Sequence, residues 1–280
     1  MRTAGSAFFA LLALLFGAVA LPSAWVALNV AAEEGFVQLT SPLASNPEFT
    51  GALADALSEE SISGVELPPE MAEAAQPVVR DVALGITQLP GFTEAWQETL
   101  GRSHDLTFTA EAQPPNDPAG RALFTLDVAP LVGLVSSEIG GQFGVDVPVP
   151  EQVPVAVGGT DRFDVVDRME TAAALWPVLA LAAGVGAVIA LALARRRSTT
   201  TALLGLGVLM IGAALWLAAG LAPVSVDRVA VGGAVADVFM VALVTRAATD
   251  FQEWCLAAVA AGILLTVAGT VGRLLSGSRR

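Results

Sequence analysis

Four apolar runs divide the chain: Ala7–Val30, Ala172–Ala194, Thr201–Leu221 and Trp254–Leu275. The first three contain no Asp, Glu, Lys, Arg or His, and the fourth contains only Arg273. At about 1.5 Å per residue, helices of this length reach about 30–36 Å, the thickness of a bilayer core. The pattern predicts spans at residues 7–30, 172–194, 201–221 and 254–275. Segments 1–6, 195–200 and 276–280 then share one side of the membrane, and 31–171 and 222–253 share the other. The first run also has the layout of a secretory signal peptide, with Arg2 ahead of Phe8–Ala20 and a small-residue site at Ala18-Val19-Ala20. Its apolar character continues to Val30, which favours an uncleaved anchor.

Residues 31–171 are punctuated by Asn46-Pro47, Leu67-Pro68-Pro69, Leu89-Pro90-Gly91 and residues 113–120. Between these breaks, helical spacing recurs over Pro47–Glu60, Pro69–Leu89 and Phe92–Phe108, the last with Phe92, Trp96 and Leu100 on one stripe. Ala122–Asp127 then alternates like a strand, Val153–Val157 offers a partner, and Leu131–Phe143 reads as a crossover helix. A βαβ-like unit added to a helical half makes a mainly helical α+β domain. A further helix begins near Asp161 and runs into the second span. Val229–Thr245 is apolar enough for a fifth span, but Asp237 near its centre would cost roughly 3 kcal/mol. It is better read as an amphipathic helix within the 222–253 loop, lying at the outer interface or docked under the domain.

Composition sharpens the sidedness. The chain is 54% hydrophobic and has 27 acidic residues against 14 arginines and no lysine. Arg2, Arg195, Arg196, Arg197, Arg273, Arg279 and Arg280 fall on the side of the termini, with no acid among them. All the acids fall on the other side, which the positive-inside rule makes extracytoplasmic. Trp25, Trp176, Trp216 and Trp254 all come near the predicted outer ends of their spans, as an interfacial aromatic belt would. The expected fold is an α-helical plasma-membrane protein with four spans and an acidic extracytoplasmic domain.

Segment 31–171 has 23 acids against five arginines. That balance disfavours nucleic acid as a partner and disfavours docking of this domain on anionic headgroups. His104 is the single histidine. It sits in Ser103-His104-Asp105, whose consecutive side chains diverge and cannot form a triad with one another. Cys255 is the single cysteine, so no intramolecular disulfide can form. Asp161, Asp164 and Asp167 follow one another at spacing three; first-turn charge and capping explain them, with a loosely held cation as the alternative. No cofactor or metal is expected. The spans contain none of the buried ionisable residues that ion paths need. Small residues four apart, Ala258/Gly262, Ala268/Gly272 and Gly186/Ala190, suit close helix packing.

The stretches FVQLTSPLASNPEFTGALADAL, GFTEAWQETLGRSHD and LFTLDVAPLV, after an N-terminal span and before a closing hydrophobic hairpin, resemble multi-pass membrane proteins of unknown function common in actinobacteria. Phe36, Pro42-Leu43-Ala44 and Pro47 carry the first match, and Phe92, Trp96 and His104 the second. The chain departs from that pattern at Glu34-Gly35, where an acidic-basic pair usually stands. The resemblance implies architecture and gives His104 a recurring place, but it assigns no catalytic residue. The expected role is binding or scaffolding at the cell envelope, with the lipid bilayer and an envelope or membrane protein as partners. The alternatives are an envelope hydrolase or transferase using His104 with carboxylates, and an accessory subunit of a transporter or sensor.

Overall fold

The computed structural model describes residues 2–51, 85–108, 124–134, 137, 151–157, 162–226 and 234–277. In chain order the elements are α1 (Arg2–Val26), a π-helical turn (Ala27–Ala31), α2 (Glu33–Thr40), a 3-10 turn (Ser41–Ser45), α3 (Phe92–Phe108), β1 (Phe124–Asp127), β2 (Pro154–Val157), α4 (Arg162–Leu193), α5 (Arg197–Val226) and α6 (Ala234–Gly277). Contacts divide the chain into two units. The bundle unit is Met1–Leu28, Met169–Ala222 and Ala247–Arg280; the domain unit is Asn29–Arg168 and Pro223–Arg246.

Four helices are long and apolar enough to cross a membrane, over Thr3–Ala31, Arg168–Leu193, Arg197–Val224 and Asp237–Leu275. The protein is therefore of the multi-pass α-helical membrane type. The fourth helix corrects the sequence reading. Residues 222–253 do not hold a separate interfacial helix, because α6 is one helix of 44 residues from Ala234 onward. Nothing in Ala234–Gly277 breaks a helix: it has no proline, and its only glycines lie beyond residue 261.

In the bundle unit, leucine and valine point outward and small residues point inward. Leu181, Leu264 and Leu274 are among the most exposed side chains, as lipid-facing positions should be. Between apolar helices in lipid there is no hydrophobic drive to associate, so close van der Waals contact must supply the attraction. α5 and α6 achieve it with glycine. A Cβ built on Gly262 would stand 2.5 Å from Leu209 N, and one on Gly205 would stand 2.5 Å from Thr266 N. Gly212 against Val259, and Gly269 against Ser198 and Ala202, continue the seam. These contacts run antiparallel and recur every seven residues on both helices. A seven-residue period gives left-handed packing, unlike the four-residue spacing read from Ala258/Gly262 and Ala268/Gly272. Gly272 makes only an ordinary contact, 3.6 Å to Ser198 Cβ.

α1 and α4 also pack antiparallel. Gly186 meets Ala13 and the Phe9 carbonyl, and Ser6 Oγ donates to the Ala190 carbonyl at 2.8 Å. Gly5 faces Leu193, and Gly269 faces Ser198, so the ends of α1 and α6 lie with the Arg195–Arg197 turn at one end of the bundle. At the other end, Trp25 Nε1 donates to Asp250 at 2.7 Å, and Gln252 donates to the Trp216 carbonyl at 3.2 Å. Tryptophans and acids thus share the end opposite the arginines.

The domain unit has its own core of Phe36, Leu43, Phe49, Trp96, Leu100, Phe124, Leu126, Phe239 and Met240. Phe239 and Met240 come from the start of α6, so the amphipathic segment of the sequence is buried by this core rather than spread on an interface. Phe239 stacks on Phe124 at 5.6 Å and is 1% exposed. Burying one such ring contributes about 1.5–3 kcal/mol. The Asn46-Pro47 break proves to be a helix start: Asn46 Oδ1 accepts the Glu48 N–H at 2.9 Å, with proline at the first helical position.

The strands pair as the sequence suggests but run antiparallel, with Phe124 opposite Val157 and Asp127 opposite Pro154. The βαβ-like expectation is therefore wrong. Val128 N–H donates to the Val153 carbonyl, and Asp127 Oδ1 accepts the Val153 N–H at 2.8 Å. Both bonds draw the start of the second strand to the end of the first, which a parallel register forbids. Among the described residues this four-residue pair is the only sheet. The α+β description shrinks accordingly to a helical unit with one short ladder.

Candidate functional site

α3 positions the residues in which the sequence suggested chemistry. Ser103, His104 and Asp105 are consecutive on it and serve three different surroundings. Ser103 is fully buried, and its Oγ accepts the Asp127 N–H at 2.8 Å. One turn on, Thr107 Oγ1 accepts the Thr125 N–H at 3.3 Å. Alternate N–H groups of β1 thus meet hydroxyls four apart on α3. The helix supplies what a second neighbouring strand would supply, because strand residues two apart and helix residues four apart are both about 6–7 Å apart. Thr99 is the next hydroxyl in this row, yet its Oγ1 is buried without a partner. The amide it would have met, that of Ala129, donates to Asp127 Oδ1 instead, at 3.1 Å.

Asp127 itself is 1% exposed. With Oδ1 taking the N–H groups of Ala129 and Val153, it closes the ladder and turns the chain into the helical residues 129–134. Its work is structural.

His104 is buried between Phe36 and Phe108, with ring centroids 5.5 and 4.6 Å away, and its Nε2 lies 3.1 Å from the Val30 carbonyl. A ring enclosed by two aromatic rings and tied to a backbone oxygen is not placed to exchange protons with a substrate. Cys255 is fully buried in the α5–α6 seam, where its carbonyl would lie 3.1 Å from a Cβ on Gly212. Asp161 lies outside the described residues, as do the side chains of Asp164 and Asp167 on α4. No group of three or more His, Cys, Asp or Glu among the described residues is arranged to hold a metal ion.

The solvent-facing counterpart of these internal contacts is a groove of about 980 Å³ between α2 and α3. Glu33, Glu34, Gln38 and Ser41 form one wall; Glu94, Gln97, Glu98, Arg102 and Asp105 form the other. Arg102 pairs with Glu98 at 2.6 Å and reaches the Glu151 carbonyl at 3.3 Å, so the single guanidinium is held between its own helix and the segment before β2. The remaining carboxylates are strung along the walls rather than converged on a point. Gly101 is part of the floor: a Cβ there would come 3.1 Å from Glu33 Oε1.

Sequence reasoning passed over both Asp127 and this groove. α2 went unassigned because its eight residues are too short for periodicity to show. Without α2, the acids of residues 33–34 and 94–105 had no reason to be neighbours. The hydroxyl row was visible in principle as Thr99, Ser103 and Thr107, spaced four apart. Comparison with family models, with curated proteins and with solved structures finds no match to any of them.

Proposed function

We propose that this chain is a non-enzymatic plasma-membrane protein that holds a basic partner segment at the cell envelope in the groove between α2 and α3. The observation carrying this reading is the division of labour on α3. Its buried groups, Ser103, His104 and Thr107, are spent on internal contacts, while its outward acids line an open groove with a formal charge of −4 from five carboxylates and one guanidinium. Carboxylates spaced along a groove suit lysines and arginines spaced along a peptide, whereas a metal ion would need them converged.

The arginine segments support the accompanying orientation. Among the described residues, the start of α1, the Arg195–Arg197 turn and Arg273 share one end of the bundle, and the positive-inside rule then favours a cytoplasmic place for that end and an extracytoplasmic one for the acidic domain. Nucleic acid has no basic footprint to bind there.

The test is affinity capture in mild detergent with full-length protein, wild type against E94Q/E98Q/D105N, backed by a Lys/Arg-rich probe peptide. Wild type is expected to retain the peptide with a salt-dependent affinity, and the neutralised protein to lose about tenfold or more. Equal retention by both proteins would show that the groove is not the binding surface.

A further inference from the structure

The arginine end of the bundle unit carries a second cavity, of about 830 Å³. Its mouth is polar, formed by Arg195 and Arg196 from the turn between α4 and α5, Arg273 from α6, and Thr3 and Thr199. Further along the helix axes the walls become apolar, with Ala7, Leu11 and Leu14 of α1 and Leu203 and Leu204 of α5. Thr3 and Leu14 are about 16 Å apart along a helix, close to the depth of one leaflet's acyl region.

Two observations select an anion for the mouth. No acidic residue lines the cavity. α5, a helix of 30 residues, begins there, its cap carbonyl on Arg196 accepting the N–H groups of Thr199 and Thr200 at 3.1 and 3.2 Å. The positive end of a long helix therefore adds to the guanidinium charges. A third observation selects a lipid. Leu11 and Leu203 line the cavity and are still 68% and 61% exposed, so it opens sideways onto the apolar flank of the helices. A soluble anion has no use for that flank; an acyl chain does.

We propose that this cavity binds an anionic glycerophospholipid. Its phosphate is held by Arg195, Arg196 and Arg273, and one acyl chain lies against Leu11, Leu14 and Leu203. The site is independent of the acidic groove and of any partner there. A lipid seated in it touches α1, α5 and α6 at once and so ties three helices together at this end.

Full-length protein in mild detergent is tested by native mass spectrometry with phosphatidylglycerol and with phosphatidylcholine of the same chains. Phosphatidylglycerol is expected to be retained at about tenfold lower concentration than phosphatidylcholine, as clustered guanidiniums favour anionic headgroups. R195Q/R196Q/R273Q should abolish the preference. Arg197→Gln, an exposed arginine next in sequence but outside the lining, should leave it intact. Thermal unfolding of the wild type requires no variant to fold, and phosphatidylglycerol should raise its midpoint where phosphatidylcholine does not. Equal retention of the two lipids would overturn the proposal, as would an R197Q effect as large as that of the triple variant. Displacement of the lipid by inorganic phosphate, with the same stabilisation, would reassign the cavity to a soluble anion and also overturn it.

Discussion

Replacing Gly262 by alanine tests whether glycine contact holds the α5–α6 pair together. The new Cβ would stand 2.5 Å from Leu209 N, 2.8 Å from the Gly205 carbonyl oxygen and 2.9 Å from Leu209 Cα. All three are backbone atoms, so no side chain can swing aside. Since ordinary Cβ contacts begin at 3.4 Å, the two helices must part by about 0.9 Å at this level. Van der Waals attraction falls steeply over such a gap, and a separation of 0.5–1 Å forfeits about a quarter to a half of each contact along the seam. Overpacking of this kind costs about 1–3 kcal/mol. The same substitution in an open helix position normally helps, by roughly 0.5–1 kcal/mol in water. Gly184 is such a position, with no heavy atom within 4 Å of the point where an added methyl would stand. Only G262A should therefore be destabilised.

Reversible unfolding in mixed micelles with increasing SDS, followed by circular dichroism, measures both. G262A should lose about 1–3 kcal/mol and G184A should lose nothing. Gly269→Ala should resemble G262A, since Ser198 O would lie 2.6 Å from its Cβ. The double variant should cost less than the sum, because helices already parted at one level have less to lose one heptad away. If G262A and G184A unfold together, the close seam is not what holds α5 to α6, and the seven-residue period does not set their packing.

Further outcomes concern the domain unit and the topology. S103A strands the buried Asp127 amide and should destabilise by about 1–3 kcal/mol, whereas Thr99→Val removes a hydroxyl that is already unpartnered and should be neutral or stabilising. Thermal unfolding by circular dichroism compares them, and an equal loss in both would refute the hydroxyl row. Phe239→Ala should cost about 3–5 kcal/mol in the same assay, as a ring 1% exposed in the core would; a surface-like loss below about 0.5 kcal/mol would detach the start of α6 from that core. A C-terminal epitope tag should stay protected from protease on intact cells and become accessible after lysis, as the arginine-bearing end requires. Digestion on intact cells would invert the topology.

How legible these features were follows from the length scale of each signal. The spans were readable because a bilayer demands some twenty apolar residues in sequence, and no local contact can imitate that. α3 was found at its observed bounds because Phe92, Trp96 and Leu100 repeat over several turns. The strands were located to within two residues, but their direction depended on where a single carboxylate, Asp127, sends its hydrogen bonds. Alternation records which face of a strand is buried and carries no information about its neighbour's direction. α2 was lost by its shortness, and with it the groove.

The glycine seam shows the same limit from the other side. Read along α6 alone, Gly262 pairs with Ala258 at four-residue spacing, and Gly269 falls outside that pattern. Read against α5, Gly262 and Gly269 face Gly205 and the Ser198–Ala202 turn at seven-residue spacing. A helix in lipid has no polar face to betray its inner side, so small residues on one helix become informative only when the partner's small residues fix the period. The arginine cluster is subject to the same condition. The pair Arg195-Arg196 and Arg273 are distant in sequence and look like topology markers individually. They form a pocket only because antiparallel α5 and α6 bring Ser198 against Gly269. The seam that closes the bundle is therefore what assembles the cation cluster. G262A, by parting the helices, should weaken phosphatidylglycerol retention along with stability, whereas R195Q/R196Q/R273Q should lose retention and leave the seam in place.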